Sequence, residues 1–481
     1  MRRAGEGGRD LSGPASDAAA AAAVGDAANA ADGLPLPRRV WAVVTLALGI
    51  TLAVLDSSIA NVALPTIAGG LGVSAAQSVW IVNAYQLTVA ACLLPLALLG
   101  EIVGFRRVYL AGLALFVVGA LACALSPSLP WLVAARVLLG LGGAGIMSVS
   151  TSLVSLTYPR AMLGRAVGIN AMIVAGGTAL GPGIAGAVLS VADWPWLFAI
   201  YLPIGLVALA VGRRALPGSP RASHRFDLGA ALLNAATLCL FIVAIDGAGR
   251  GADAWVVGAE LGLALLLGAL LVRRELRSPH PLLPVDLLRI PAFGLSIAGS
   301  ACAFAAHTMA YIALPFLFQG VMGKSPGEIG LLMTPWAAVI MLVAPLAGRL
   351  SDRHPAAVLG GLGMALLAAG LASLALLPAQ AQAADIVWRM TLCGIGFGLF
   401  QTPNNRTMIA SAPLRRRGGA SGMQATARVC GQVLGAALTA LVFHLLAARG
   451  ALAALWLAAA FALLAGGASL LRLGRREAGV Q

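Results

Sequence analysis

Charge is what this chain has least of. Only 10% of its 481 residues are Asp, Glu, Lys or Arg, against about a quarter in soluble domains. Lysine is nearly missing: Lys324 is the sole one among 32 basic residues. Cysteine is sparse. Cys92, Cys123, Cys239, Cys302, Cys393 and Cys430 fall singly inside apolar runs, which excludes a disulfide framework or a cysteine metal site and leaves small packing residues. There is no HExxH, no GxSxG flanked by a plausible base and no P-loop GxxxxGK[ST]. No long polar stretch is present to fold as a catalytic domain. These absences argue against a hydrolase, a self-contained ATP-driven pump and a sensor.

What remains is apolar. Hydrophobic residues make up 60% of the chain, and mean hydropathy is +0.91. They come in runs of roughly 20, enough to cross a ~30 Å hydrocarbon core. The fold class is therefore all-α and polytopic, in a lipid bilayer. Fourteen spans are predicted, near 40–63, 78–99, 107–126, 131–155, 166–190, 196–212, 228–246, 255–272, 294–319, 328–347, 356–377, 386–411, 420–446 and 451–471.

The net charge of +14 does not point to nucleic acid, because the arginines gather in alternate loops. Arg106 and Arg107; Arg160 and Arg165; Arg213, Arg214, Arg221 and Arg225; Arg273, Arg274, Arg277 and Arg289; Arg349 and Arg353; Arg406 and Arg415 to Arg417; and Arg472, Arg475 and Arg476 share one side. Only Arg250, Lys324 and Arg449 fall on the other. By the positive-inside rule the first side is cytoplasmic, and both termini lie there. The chain is read as a multi-pass protein of the inner or plasma membrane. Residues 1–38, rich in Ala, Gly and Asp, lack a signal-peptide pattern and read as a disordered cytoplasmic tail.

Asp56 is the one acidic residue well inside a span. A carboxylate there costs at least ~2.5 kcal/mol on insertion scales, so it faces a cavity or a partner. Ser57, Ser58 and Asn61 follow, and Pro65 is expected to loosen the helix end. Three arginines also fall in spans. Arg389 is near an end and can snorkel, whereas Arg136 and Arg428 need a partner or water. Counting along the first span puts Asp56 some ~24 Å of rise from Val40, at a different depth from Arg136. The fifth span carries Gly177 and Gly181, a small-xxx-small face for close helix approach, then Pro182 and Gly186. The twelfth carries Gln401, Asn404 and Asn405 beside Pro403. His307, the only mid-span histidine, is expected to bond to a neighbouring helix, with proton relay as the alternative.

The turns Gly100–Arg107 and Gly348–Arg353 repeat an acid-plus-Arg pattern, which pairs spans 1–6 with 9–14 and leaves 7 and 8 inserted. The expected organisation is a tail at 1–38, a six-helix bundle at 39–215 and a linker with helices 7 and 8 at 216–292. A second bundle at 293–472 and a tail at 473–481 complete it. Two repeated halves around a cavity is a transporter architecture.

Leu55-Asp56 through Pro65, Arg136 with Gly140, Gly181-Pro182 with its glycines, and Gly348 to Arg353 together resemble the motifs of the major facilitator superfamily, in its fourteen-span drug:proton antiporter family, over roughly residues 38–475. Glu101 stands where that family usually has Asp, Leu139 where Gln is common, and Ala185 in place of a motif glycine. Trp194-Pro195-Trp196 has proline where Arg is frequent.

The resemblance implies a major facilitator fold that is not an enzyme and uses no cofactor beyond the proton gradient. It implies antiport of protons against amphipathic drug-like molecules, cationic or neutral, by alternating access. Asp56, Arg136 and Asn61 would serve coupling and substrate; Trp80, Tyr85, Gln86, His307, Gln401, Asn404 and Arg428 would line the cavity. Gly177, Gly181, Pro182 and Gly186 would gate. Glu101 and Gly104 with Arg106 and Arg107, and Gly348 and Asp352 with Arg353, would latch the cytoplasmic ends in the outward-facing state. Periplasmic and outer-membrane efflux partners are compatible with this class. Export of a metabolite, siderophore or peptide on the same fold is the first alternative, and a membrane-embedded transferase the remote one.

Overall fold

A computed structural model describes residues 33–159, 162–219, 226–278, 283–378, 380–413, 416–446 and 449–473, apart from the side chains of 163–165, 167, 171, 417 and 418. Most of the predicted N-terminal tail, the distal C-terminal tail, and Arg160, Arg221, Arg225, Arg415, Arg475 and Arg476 lie outside the described residues.

Among the described residues, fourteen helices are long and apolar enough to cross a bilayer: α1 Leu36–Leu71, α2 Ala75–Val103, α3 Phe105–Ala124, α4 Leu129–Thr157, α5 Gly168–Val191, α6 Trp196–Ala215, α7 Leu228–Gly249, α8 Ala254–Glu275, α9 Pro291–Val321, α10 Pro326–Leu350, α11 Ala356–Ala375, α12 Ala383–Ser411, α13 Gly419–Leu446 and α14 Gly450–Leu470. The protein is a multi-pass membrane protein, because in hydrocarbon only internally bonded backbone is tolerated and these runs form helix throughout.

Local chemistry sets several ends. Ser74 and Gln77 form a reciprocal capping box at the start of α2, and Ser325 and Glu328 do the same for α10, satisfying donors the first turn leaves open. Pro65 does not loosen the end of α1. The helix runs through it to Leu71 and stops on Gly72 at φ 65°, a left-handed geometry that glycine adopts without a Cβ penalty. A proline removes one backbone bond, and neighbouring helices in a bundle make that tolerable.

The two halves use the same pairings. In α1–α6, α4 packs on α3 and α2, α1 packs on α5 and α6, and α3 packs on α6. In α9–α14, α12 packs on α11 and α10, α9 packs on α13 and α14, and α11 packs on α14. The halves meet along α5–α10, α2–α13 and α1–α9. α7 lies outside this frame and packs on both α2 and α13. Two side chains fix it to α2: Trp80 Nε1 donates to Asp246 at 3.0 Å, and Asn234 donates to the Ala91 carbonyl at 3.1 Å.

Candidate functional site

The centre of the first half is a buried ion pair. Arg136 Nη1 donates to both carboxylate oxygens of Asp56, at 2.6 and 2.8 Å, and both residues are 0% exposed. Arg136 and Asp56 are therefore level, contrary to the depths counted from the sequence. Measured from the shared end, each lies one to two turns inside its expected span. Arg136 Nε donates to the Ile81 carbonyl at 2.8 Å, while Nη2 is buried with no hydrogen-bond partner. The guanidinium lies 4.5 Å from the Tyr85 ring centroid and 5.8 Å from that of Phe198, a cation–π arrangement. Tyr85 donates its hydroxyl proton to the Ala53 carbonyl at 3.2 Å.

Glycine brings these helices together. A Cβ on Gly140 would lie 2.8 Å from the Tyr85 carbonyl oxygen, and one on Gly143 2.6 Å from the Tyr85 hydroxyl. Gly140 is one turn beyond Arg136, so the close approach of α2 to α4 is what places the Tyr85 ring on the guanidinium.

Two residues past Asp56, Ser58 donates to the Thr178 carbonyl of α5 at 3.2 Å, and a Cβ on Gly181 would collide with its Oγ. A Cβ on Gly177 would make only ordinary contacts, 3.5 Å from the Val54 side chain and 3.9 Å from the Thr51 carbonyl oxygen. The tightest backbone approach is farther along α5: a Cβ on Gly186 would lie 3.0 Å from Gly330 Cα, and one on Gly330 would strike the Pro182 carbonyl. The expected close face at Gly177 and Gly181 is thus divided. Gly181 receives a side chain of α1, and Gly186 receives the backbone of α10.

This seam lies toward the arginine-poor end, where Thr66 of α1 also donates to Gln319 of α9 at 3.4 Å. Toward the arginine-rich end, Ser148, Thr151 and Ser155 of α4 and Gln401 and Asn405 of α12 keep accessible surface.

In the second half, His307 sits in an aromatic box. Its ring lies 4.3 Å from Tyr311, 4.6 Å from Phe397 and 5.4 Å from Trp336. His307 Nδ1, Tyr311 Oη and Trp336 Nε1 are all buried without a hydrogen-bond partner, and His307 meets its neighbouring helices through ring contacts. Asn61, Asn83 and Gln86 each bury an unpaired amide oxygen. Leaving such an atom unbonded costs about 1–3 kcal/mol, and these concentrate on the helices lining the junction of the halves. Asn83, Tyr311 and Trp336 were not singled out from the sequence, because a lone Asn, Tyr or Trp in a span gives no periodic signal.

Other expected site residues have different duties. Trp80 ties α2 to α7. Asn404 is 1% exposed and committed at both ends of its amide, donating to the Ser296 carbonyl at 3.1 Å and accepting from Arg472 at 2.9 Å. Arg472, one residue past the predicted end of the fourteenth span, is a buried clamp that also donates to Ser296 Oγ at 2.7 Å. Arg389 pairs with Asp385 at 3.2 Å. Asp352 pairs with Arg406 of α12 and not with its neighbour Arg353. Arg106 donates to the Arg213 carbonyl, and Gly104, at φ 106°, turns the chain so that Phe105 N reaches Ser219 Oγ at 3.0 Å. Among the described residues no cluster of His, Cys, Asp and Glu is able to hold a metal ion.

Residues 46–436 match the profile of the Major Facilitator Superfamily. The chain belongs to that superfamily. Its relatives include multidrug efflux pumps, in keeping with the drug:proton antiporter family that its motifs resemble. The transporter YebQ of Escherichia coli strain K12 is 51% identical over 92% of this chain and 97% of its own. The riboflavin transporter RibZ of Clostridioides difficile strain 630 is 31% identical over 83% of this chain and 87% of its own. The multidrug efflux pump LfrA of Mycolicibacterium smegmatis is 32% identical over 85% of this chain and 81% of its own. Among solved structures, a bacterial homologue of the human lysosomal transporter Spinster, inward-facing and unoccupied, superposes with a TM-score of 0.67 at 17% identity, covering 91% of this chain and 97% of that one. That likeness is one of fold. The protein is a transporter, not an enzyme.

Proposed function

We propose that this transporter exports amphipathic small molecules from the cell by alternating access, with the proton gradient as energy source and Asp56 as the proton-binding group. It resides in the inner membrane with both termini in the cytoplasm. The observation that carries the reading is the join between the Asp56–Arg136 pair and the seam between the halves.

Protonating Asp56 removes the charge that compensates Arg136. Breaking a buried pair costs about 3–5 kcal/mol, enough to shift a two-state equilibrium by more than a hundredfold. That strain has a short route outward. Ser58 follows Asp56 on α1 and presses on Gly181, and the next residue, Pro182, contacts Gly330 of α10 in the opposite half. Proton release at Asp56 and movement at the α5–α10 seam thus act on one helix. Entry from the arginine-rich end fits the accessible polar residues of α4 and α12.

A second reading, export of a planar aromatic metabolite, is favoured by the likeness to the riboflavin transporter RibZ.

Proteoliposomes with an imposed pH gradient test the coupling. Dye or riboflavin uptake should follow the gradient in the wild type and be lost in Asp56→Asn. Uptake that persists in Asp56→Asn with the gradient collapsed overturns it.

A further inference from the structure

Arg428 lies in α13, on the half opposite the Asp56–Arg136 pair. It is partly buried, its Nε is buried with no hydrogen-bond partner, and none of the ion pairs among the described residues includes it. The titratable group within its electrostatic range is the Tyr85 phenol. Tyr85 belongs to α2, on which α13 packs across the junction of the halves. Its anchorage is tight: a Cβ on Gly431, three residues beyond and on the same side of the helix, would lie 3.0 Å from Ala301 Cα, which holds this part of α13 against α9 beside the junction.

The charge balance here is uneven. Asp56 and Arg136 cancel. Tyr85 donates its proton to the Ala53 carbonyl and, as a neutral phenol, brings no negative charge. One full positive charge is left inside the span, about two and a half turns from its arginine-rich end. An arginine does not shed its proton, and a charge at that depth persists only beside a partner or water. An arginine without a carboxylate partner is suited to a planar two-oxygen anion, which it binds through two parallel hydrogen bonds.

We infer that Arg428 is a substrate-recognition residue and that the cargo is an amphipathic organic anion, bound by its carboxylate or an equivalent oxyanion. This rests on the exporter reading above and replaces the cationic or neutral cargo that the resemblance implies. The anionic head meets Arg428 beside Tyr85, while the apolar body lies along the inward faces of α2 and α13. Coupling to protons is then a separate duty, held by Asp56 in the other half.

The test uses two dyes with a similar xanthene core and opposite charge, carboxyfluorescein and rhodamine 6G. Both are titrated by fluorescence polarisation against the purified full chain, with no gradient present. The wild type is expected to bind carboxyfluorescein at least tenfold tighter than rhodamine 6G. Arg428→Gln should weaken carboxyfluorescein at least tenfold and leave rhodamine 6G equal or tighter; Arg428→Lys should recover part of the loss. Arg449→Gln, an exposed loop change of equal charge, should alter neither.

A wild type that prefers rhodamine 6G, or an Arg428→Gln protein within twofold of wild type for carboxyfluorescein, overturns the assignment. Displacement of carboxyfluorescein by inorganic phosphate as effectively as by naphthoate also overturns it, since the site would then hold an inorganic ion. Should Arg428→Gln fail to remain monodisperse, the wild-type preference and Arg428→Lys decide the matter. Gradient-driven transport by Asp56→Asn judges the coupling alone, so the two readings fail separately.

Discussion

Ser58 occupies the space that Gly181 leaves open: its Oγ stands where a Cβ on that glycine would be, and it donates to the Thr178 carbonyl on the same helix. Two residues from the buried carboxylate, a hydroxyl is thereby locked between α1 and α5. Overpacking here is expected to cost about 1–3 kcal/mol. Gly181→Ala should cut transport at least tenfold in proteoliposomes, and Gly177→Ala, with ordinary clearance to Val54, should stay within twofold of wild type. Adding Ser58→Gly to Gly181→Ala should restore much of the activity by vacating that space.

The Asp56–Arg136 pair makes an opposite demand on stability and on transport. Arg136→Gln leaves a buried carboxylate uncompensated, a loss of about 3–5 kcal/mol, so its Tm in detergent should fall by many degrees. In the double variant Asp56→Asn with Arg136→Gln no charge is left unpaired, and the Tm should recover while gradient-driven transport does not. Recovery of both would show that neither charge is needed for coupling.

At the α5–α10 seam, Gly330→Leu drives a side chain into the Pro182 carbonyl and the Gly186 backbone. The expected result is a folded protein that no longer closes at the arginine-poor end. A cysteine placed at Thr66 should then label faster with a membrane-impermeant maleimide than it does beside Gly330. Equal labelling rates would mean that the seam does not control that end.

Arg472 and Asn404 should behave as parts of the frame. Arg472→Ala strips two donors from Ser296 and Asn404 at once, at about 1.5–3 kcal/mol for each charged hydrogen bond. Its signature should be a lowered Tm with KM within twofold of wild type. A large rise in KM with an unchanged Tm would return Asn404 to the cargo site.

Outside the membrane, Asp227 caps α7 by accepting from Ala230 N at 2.9 Å and pairs with Arg274 of α8 at 2.9 Å. The hydrogen bond from Arg274 holds its carboxyl below the ordinary aspartate value. A lowered carboxylate contributes stability above the unfolded value of about 3.9, and that contribution fades as the pH falls through the folded value. Hydrogen exchange at the first turn of α7 should therefore quicken in acid. Arg274→Gln should move that change to higher pH.

The fold was legible because apolar runs of span length admit few structures in lipid, and the arginine asymmetry kept the count at fourteen. Asp56, Arg136, Gly181 and Gly186 were also legible, since charge or repeated glycine in a span is conspicuous. Arg472 was misread because it lies just beyond a predicted helix end, where an arginine is ordinarily solvated. Asp352 was paired with its neighbour in sequence, whereas the fold offers Arg406 from another helix. The aromatic box could not be read at all: His307, Tyr311, Trp336 and Phe397 come from three helices whose rotations are set only by packing.

The placement of α7 bears on how a greasy molecule approaches. Hydrogen-bonded to α2 through Trp80 and Asn234 and packed on α13, it covers one flank of the junction against the acyl chains. Among the described helices the α5–α10 flank has no such cover. Any sideways approach from the bilayer to the junction is therefore expected on one side only, past Gly181 and Gly186.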